Sequence, residues 1–334
     1  MTESKRLLGL DVARVVGILL LFPVHSGLSQ VYPQVVDLLQ YFFLGIFFYA
    51  SGYLARPKGK SFRVFMKDKL LGIYLPFVII AILCHLVYPA RFQNNVLTDV
   101  TGLLLYAPFT LAGYDLWFIP ALLLFLLITA AFRNRTTVLI GSFLALSVFQ
   151  IATNATVLDW KVPIFAIVFL AGYLDTLYAP SGLLLLVPFA VLYGIADNGS
   201  VAQVMSINTF TTLLTVVPLM KMLTYMKTRS NLLELVAGST LFIYLLEPLV
   251  SLALAERLYG VQFAEWVLPP EIWNLILVRM VITVVVGVAV GTAYGRLLAL
   301  TRSRLRARGQ RAGPSGLQLE AGVGSVGMGR VFAR

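Results

Sequence analysis

The feature that most constrains this chain is the recurrence of long apolar runs from one end to the other, separated by short polar or turn-rich segments. A helix crossing ~30 Å of hydrocarbon needs roughly 20 mostly apolar residues. Runs of that kind lie near residues 8–29, 36–55, 70–89, 115–132, 136–153, 162–178, 182–196, 204–222, 235–255 and 273–300. The predicted fold is therefore all-α, a polytopic transmembrane helical bundle of about ten helices. A shorter run at 100–112 reads as a re-entrant or interfacial helix. With 59% hydrophobic and only 12% charged residues, the composition excludes a large soluble domain. The single cysteine, Cys84, excludes an intrachain disulfide and a cysteine-based zinc site, and no metal is expected.

The net charge of +11 raises the question of nucleic acid, but that partner requires the basic residues to share one accessible face. They are dispersed as a membrane topology would disperse them. With the N-terminus inside, the inner segments hold 21 of the 26 lysines and arginines, and the outer loops hold only Arg91, Lys161 and Arg257. Cytoplasmic loops retain such an excess, so both termini are expected in the cytoplasm and no nucleic acid is expected as partner. The first apolar run resembles a signal peptide in position, yet it contains Asp11, Arg14 and His25, so it is read as a retained span. Residues 1–302 form the expected membrane domain, and 303–334 a disordered basic tail rich in Gly and Arg. Asn154-Ala-Thr156 and Asn198-Gly-Ser200 match a glycosylation pattern, but such triplets are common by chance and no role is assigned to them.

Ionisable side chains inside spans are costly and mark functional positions. The set is small: Asp11, Arg14, His25, His85, Glu247 and Arg279. Eleven helical steps separate Arg14 from His25, which returns them to nearly the same face about 16 Å apart along the axis. One helix thus carries a cation low and an imidazole high. His85, Glu247 and Arg279 fall toward the outer ends of their spans, with Asp115 and Trp117 opening another there. Asp11, Arg14 and the basic loop from Lys67 to Lys69 fall toward the inner face. Structural explanations compete: Asp11 is three residues from Arg14 and suits an orienting ion pair, and Arg279 suits a pairing with Glu247. Gly287, Gly291 and Gly295 recur every fourth residue, as close helix packing requires.

Several segments resemble the membrane acyltransferase family 3, integral-membrane O-acyltransferases that act on surface glycans and other hydroxyl acceptors. The resemblance covers roughly residues 6–302. It rests on Leu10-Asp11-Val12-Ala13-Arg14 followed by Val24-His25, on Phe42-Phe43-Leu44-Gly45 with Ala50-Ser51-Gly52-Tyr53-Leu54, on Leu116-Trp117-Phe118-Ile119-Pro120-Ala121-Leu122, and on Ile243-Tyr244-Leu245-Leu246-Glu247-Pro248. Two positions depart from the pattern: Lys69 and Gly72 stand where a pair of arginines is usual, and Glu247 where a histidine is usual.

The resemblance implies a donor, acyl-CoA and most simply acetyl-CoA, with its phosphates against Arg14, Lys67 and Lys69. It implies an acceptor hydroxyl on a glycan, a glycolipid such as a lipid-linked sugar, or a small molecule, and a location in the bacterial cytoplasmic membrane among membrane lipid. His25 is the expected general base and Glu247 a catalytic partner. Arg279 is the expected oxyanion stabiliser, and Asp115, Trp117 and His85 are the expected acceptor contacts. The charged helix face also admits a transporter or flippase for a polar or glycolipid solute, and a noncatalytic scaffold would leave the Arg14 to His25 arrangement idle. Oligomeric state and acyl length are not readable from the sequence.

Overall fold

A computed structural model describes residues 3–25, 32–55, 60–87, 118–152, 162–175, 216, 219–220, 230–259 and 275–311. The described residues are helical, joined by turns, with no strand among them. In chain order the helices are α1 (Glu3–Val24), α2 (Pro33–Leu54), α3 (Phe62–Lys69), α4 (Leu75–Val87), α5 (Phe118–Phe132), α6 (Thr136–Ala152), α7 (Val162–Asp175), α8 (Asn231–Tyr259) and α9 (Leu275–Arg311). Local chemistry sets several starts. Pro33 opens α2, where a missing N–H costs nothing, and the Ser61 hydroxyl caps α3 by accepting from the Val64 amide. A π-helical turn, Leu70–Tyr74, joins α3 to α4 without a break.

Three differences from the sequence-based expectations concern the site. The third helix begins at Phe62, so Lys67 and Lys69 lie on a capped helix and not in a loop. Its polar first turns extend past the apolar run, which is why hydropathy placed the start later. His25 sits in the turn just after α1, its amide still bonded to the Leu21 carbonyl at 3.1 Å. Helix α9 continues to Arg311, nine residues into the expected disordered tail, because arginine, leucine and alanine favour helix even where hydropathy is low. The expected span at 182–196, all of that at 204–222 but Val216, Leu219 and Met220, the short run at 100–112, both Asn-X-Ser/Thr triplets and residues 312–334 lie outside the described residues.

The helices order themselves through side-chain contacts. Asp11 lies within electrostatic reach of Glu234, and His25 touches Glu247, so α1 and α8 run parallel. Helix α9 runs against α8: Arg279 lies at Glu247, Gly287 faces Ile243, and Gly291 faces Ser239 and Phe242. Helix α2 returns beside α1, with Gly17 against Phe47, and α7 runs parallel to α2, pairing Tyr41 with Phe165 and Tyr49 with Asp175. The aromatic core of Phe48, Phe118, Phe125, Phe143, Phe165 and Phe169 interlocks at centroid distances of 4.8 to 5.9 Å. These contacts give the bundle two ends, one holding Asp11, Lys69 and Glu234, the other His25, Glu247 and Arg279.

Among the described residues two helices are long and apolar enough to cross a bilayer, Asn231–Ser251 and Ile276–Ser303, and four shorter apolar helices accompany them. On α9 the buried strip Arg279, Thr283, Gly287 and Gly291 stands opposite Leu277, Val281 and Val285, which are exposed. A strip of exposed aliphatics backing a buried polar strip is unsuited to water and suited to lipid.

The closest helix approach is at α2 and α7. A Cβ on Gly52 would stand 2.0 Å from the Phe169 carbonyl oxygen, and one on Gly172 2.2 Å from that of Tyr49. Backbone, not a flexible side chain, occupies the space. Gly172→Ala is expected to cost about 1–3 kcal/mol by overpacking. Gly141→Ala, where nothing lies within 4 Å, is expected to be neutral or to gain up to ~1 kcal/mol from helix propensity. Melting temperatures of the two purified variants check the contrast.

Candidate active site

Three chain segments far apart in sequence meet at one end of the bundle. The turn after α1 supplies His25, α8 supplies Glu247 and Ser251, and α9 supplies Arg279. His25 Nδ1 is 2.9 Å from Glu247 Oε2. An ionised carboxylate only accepts, so Nδ1 carries a proton and donates it. The other carboxylate oxygen, Oε1, accepts from the Ser251 hydroxyl at 2.8 Å and lies 3.6 Å from Arg279 Nε. Ser251 follows Glu247 by four residues, so one helix face presents both.

Burial makes these contacts necessary. Glu247 is 2% exposed and Arg279 1%, and a buried charge persists only when paired and hydrogen-bonded. The guanidinium offsets the charge of the carboxylate inside the buried site. Arg279 also donates to the His25 carbonyl at 3.0 Å and to the Phe22 carbonyl at 2.5 Å, and its guanidinium lies 5.6 Å from the Phe22 ring centroid. These are last-turn carbonyls of α1, groups that a helix end leaves without internal partners. Of the three ionisable side chains only His25 reaches outward, at 29% exposure.

Arg279, the expected oxyanion stabiliser, faces protein groups with all three of its nitrogens. Both of its terminal nitrogens donate to α1 carbonyls and its Nε faces Glu247, so the group fastens α1 to α8 and α9 and positions His25. Glu247, 2% exposed, meets the imidazole through Oε2.

The opposite end is basic. Arg14 pairs with Asp11 at 3.9 Å, the orienting pair expected from their spacing, and remains 32% exposed. Lys69 lies over the Phe65 ring and within electrostatic reach of Arg14 and Lys60. Burial pushes the Lys69 ammonium down to about 8; the charges of Arg14 and Lys60 push the same way and Asp68 opposes them. Asp68 bridges Lys60 at 2.5 Å and Arg302 at 3.1 Å, tying α9 to α3. The Tyr294 hydroxyl adds a bond to the Leu71 carbonyl in the π-helical turn at 2.5 Å, and Arg133 donates to the Lys60 carbonyl. Lys67 is exposed on the same helix as Lys69.

Between Arg14 and His25, α1 presents Ile18, Leu21 and Phe22, which are 0–1% exposed. The face joining the two ends is therefore apolar and packed. Asp115 and Trp117 lie outside the described residues, and His85 is placed only by its position on α4. Among the described residues no three His, Cys, Asp or Glu side chains come together as a metal site. Ser251, Lys60, Asp68, Arg133 and Arg302 were not singled out from sequence. Ser251 was findable from its spacing to Glu247, whereas the Asp68 to Arg302 pairing has no local signal.

The family model described as an acyltransferase domain, acyltransferase family 3, matches residues 7–293. That span includes the His25 site and the basic helix α3, and the chain belongs to this family. It is accordingly a membrane-associated acyltransferase, transferring acyl groups other than amino-acyl groups. No curated protein and no solved structure matches the chain.

Removing one member of a buried pair strands the other. Arg279→Met is expected to destabilise the protein by about 3–5 kcal/mol, and adding Glu247→Gln to it to recover part of the loss, read as thermal denaturation of the purified variants.

Proposed function

We propose that this enzyme transfers an acyl group, most simply acetyl, from cytoplasmic acyl-CoA to a hydroxyl of a glycan, lipid-linked sugar or related acceptor at the opposite membrane face. The observation that carries the proposal is the 2.9 Å contact between His25 Nδ1 and a Glu247 carboxylate whose charge Arg279 offsets. With Nδ1 turned to the carboxylate, the partly exposed imidazole has Nε2 left to act as the base.

In this reading the basic end faces the cytoplasm, in keeping with the lysine and arginine excess, and the chain crosses the bacterial cytoplasmic membrane about ten times with both termini inside. The alternating helix directions support that topology. Arg14 and Lys69 receive the donor's phosphates, with Lys67 at the rim; arginine offers a forked donor and lysine a point charge. The ~16 Å rise from Arg14 to His25 is of the length of the donor's aliphatic and amide arm, and its entry requires the packed Ile18 and Phe22 side chains to part. Acceptor binding falls to the His25 end, where Asp115, Trp117 and His85 are the proposed contacts.

The chemistry then balances as follows. His25 Nε2 removes the acceptor's hydroxyl proton while the oxygen attacks the thioester carbonyl. The tetrahedral intermediate expels the CoA thiolate, and the imidazolium returns the proton to it. Glu247 stabilises the transient imidazolium and Arg279 keeps Glu247 charged and in place.

Purified protein in lipid nanodiscs, given labelled acetyl-CoA and surface-glycan acceptors, tests the assignment. His25→Ala is expected to fold and to lose transfer by roughly a hundredfold or more; transfer at the parent rate would remove the assignment. In Glu247→Gln the amide can donate to Nδ1 and thereby favour the tautomer with Nε2 protonated, so a comparable loss is expected with donor affinity retained.

The donor end makes a separate prediction. A lysine depressed to about 8 carries its charge below that pH and loses it above. Donor affinity is expected to fall as pH rises through about 8, and Lys69→Arg to flatten that dependence, as titration with CoA will report.

A further inference from the structure

Two polar atoms beside the site are buried with no hydrogen-bond partner among the described residues, Arg279 Nε and the Thr283 hydroxyl. Thr283 is 0% exposed and follows Arg279 by one helical turn on α9, on the strip turned toward the bundle. Side chains of a helix lean toward its N-terminus, so Thr283 covers the turn that carries Arg279. Other buried helical threonines bond back to their own helix, Thr129 to the Phe125 carbonyl at 2.8 Å and Thr240 to that of Ala237 at 3.0 Å. Thr283 does not.

Arg279 Nε and Glu247 Oε1 are 3.6 Å apart, too long for a direct hydrogen bond and suited to a contact completed through water. Oε1 accepts from Ser251 and keeps a second lone pair. The three groups are a donor, an acceptor and a hydroxyl able to be either. Buried water requires two to four such partners, and a polar atom left bare in a native interior calls for an occupant.

We infer that an ordered water is held between Arg279 Nε, Glu247 Oε1 and Thr283 Oγ1, and that Thr283 is thereby a positioning residue for the Glu247 and His25 pair. The water accepts from Nε–H and donates to Oε1, and the Thr283 hydroxyl completes its shell. This third contact fixes the carboxylate plane so that Oε2 stays aimed at Nδ1. The effect on catalysis rests on the proposed role of His25; the water site itself does not.

Thr283→Val and Thr283→Ser in the full-length protein in nanodiscs test the inference through melting temperature and the pH profile of transfer from acetyl-CoA. Thr283→Val keeps the shape and deletes the hydroxyl. It is expected to melt lower by about 2 °C or more, and to lose kcat several-fold at unchanged donor KM with the acidic limb of the profile displaced. Thr283→Ser is expected to follow the parent in every measure. A hydroxyl facing an empty space would give the reverse, because replacing an unmet polar group with a methyl stabilises. A Thr283→Val protein at least as stable as the parent therefore overturns the water site, and one destabilised with an unmoved pH profile overturns the positioning role. If His25→Ala kept transfer while only Thr283→Val lost stability, the catalytic reading would fall and the water site would stand.

Discussion

A carboxylate enclosed by an apolar helix bundle is the constraint from which the site follows. Glu247 is almost fully buried, and its charge is tolerable only because each oxygen is engaged and a guanidinium stands beside it. Meeting that need draws α1, α8 and α9 together and fixes the rotation of each. Close packing then follows from glycine: a Cβ on Gly287 would meet the Ile243 backbone at 2.8–2.9 Å, so α9 can approach α8 closely enough for Arg279 to reach Glu247 only where side chains are missing. The stability of the bundle and the posture of the imidazole thus depend on the same contacts.

The two ends of the bundle divide the electrostatic work. At the His25 end charges are few, buried and balanced. At the other end Arg14, Lys60, Lys69 and Arg302 outnumber Asp11 and Asp68 locally, and several remain partly exposed. A balanced interior favours neutral-base chemistry, and an unbalanced mouth favours an anionic ligand. Helix α9 belongs to both, carrying Arg279 at one end and Arg302, bound to Asp68, at the other.

Much of this was legible in the sequence for definable reasons. Hydropathy marked the helices because lipid admits few alternatives, and the cost of burying charge singled out His25, Glu247 and Arg279 before any coordinates. The eleven-residue spacing placed Arg14 about 16 Å below His25 along one helix. Hydropathy could not show what lay between them, since Ile18 and Phe22 look the same whether they wall a passage or pack solidly. Nor could it show how Arg279 spends its donors, because the Phe22 and His25 carbonyls are backbone atoms that every residue has. The early start of the third helix and the late end of α9 were missed because polar turns can be helical without being apolar.

The bond from Arg279 to the His25 carbonyl joins positions 254 residues apart, the first described helix to the last. At ~5–20 residues per second of synthesis, α1 waits on the order of tens of seconds in the bilayer before that arginine is made. Throughout that interval its terminal carbonyls lack this partner and the imidazole lacks its final orientation. The site proposed at His25 therefore stays incomplete until Arg279 has been made, and a chain released before that point, however well its helices insert, lacks it.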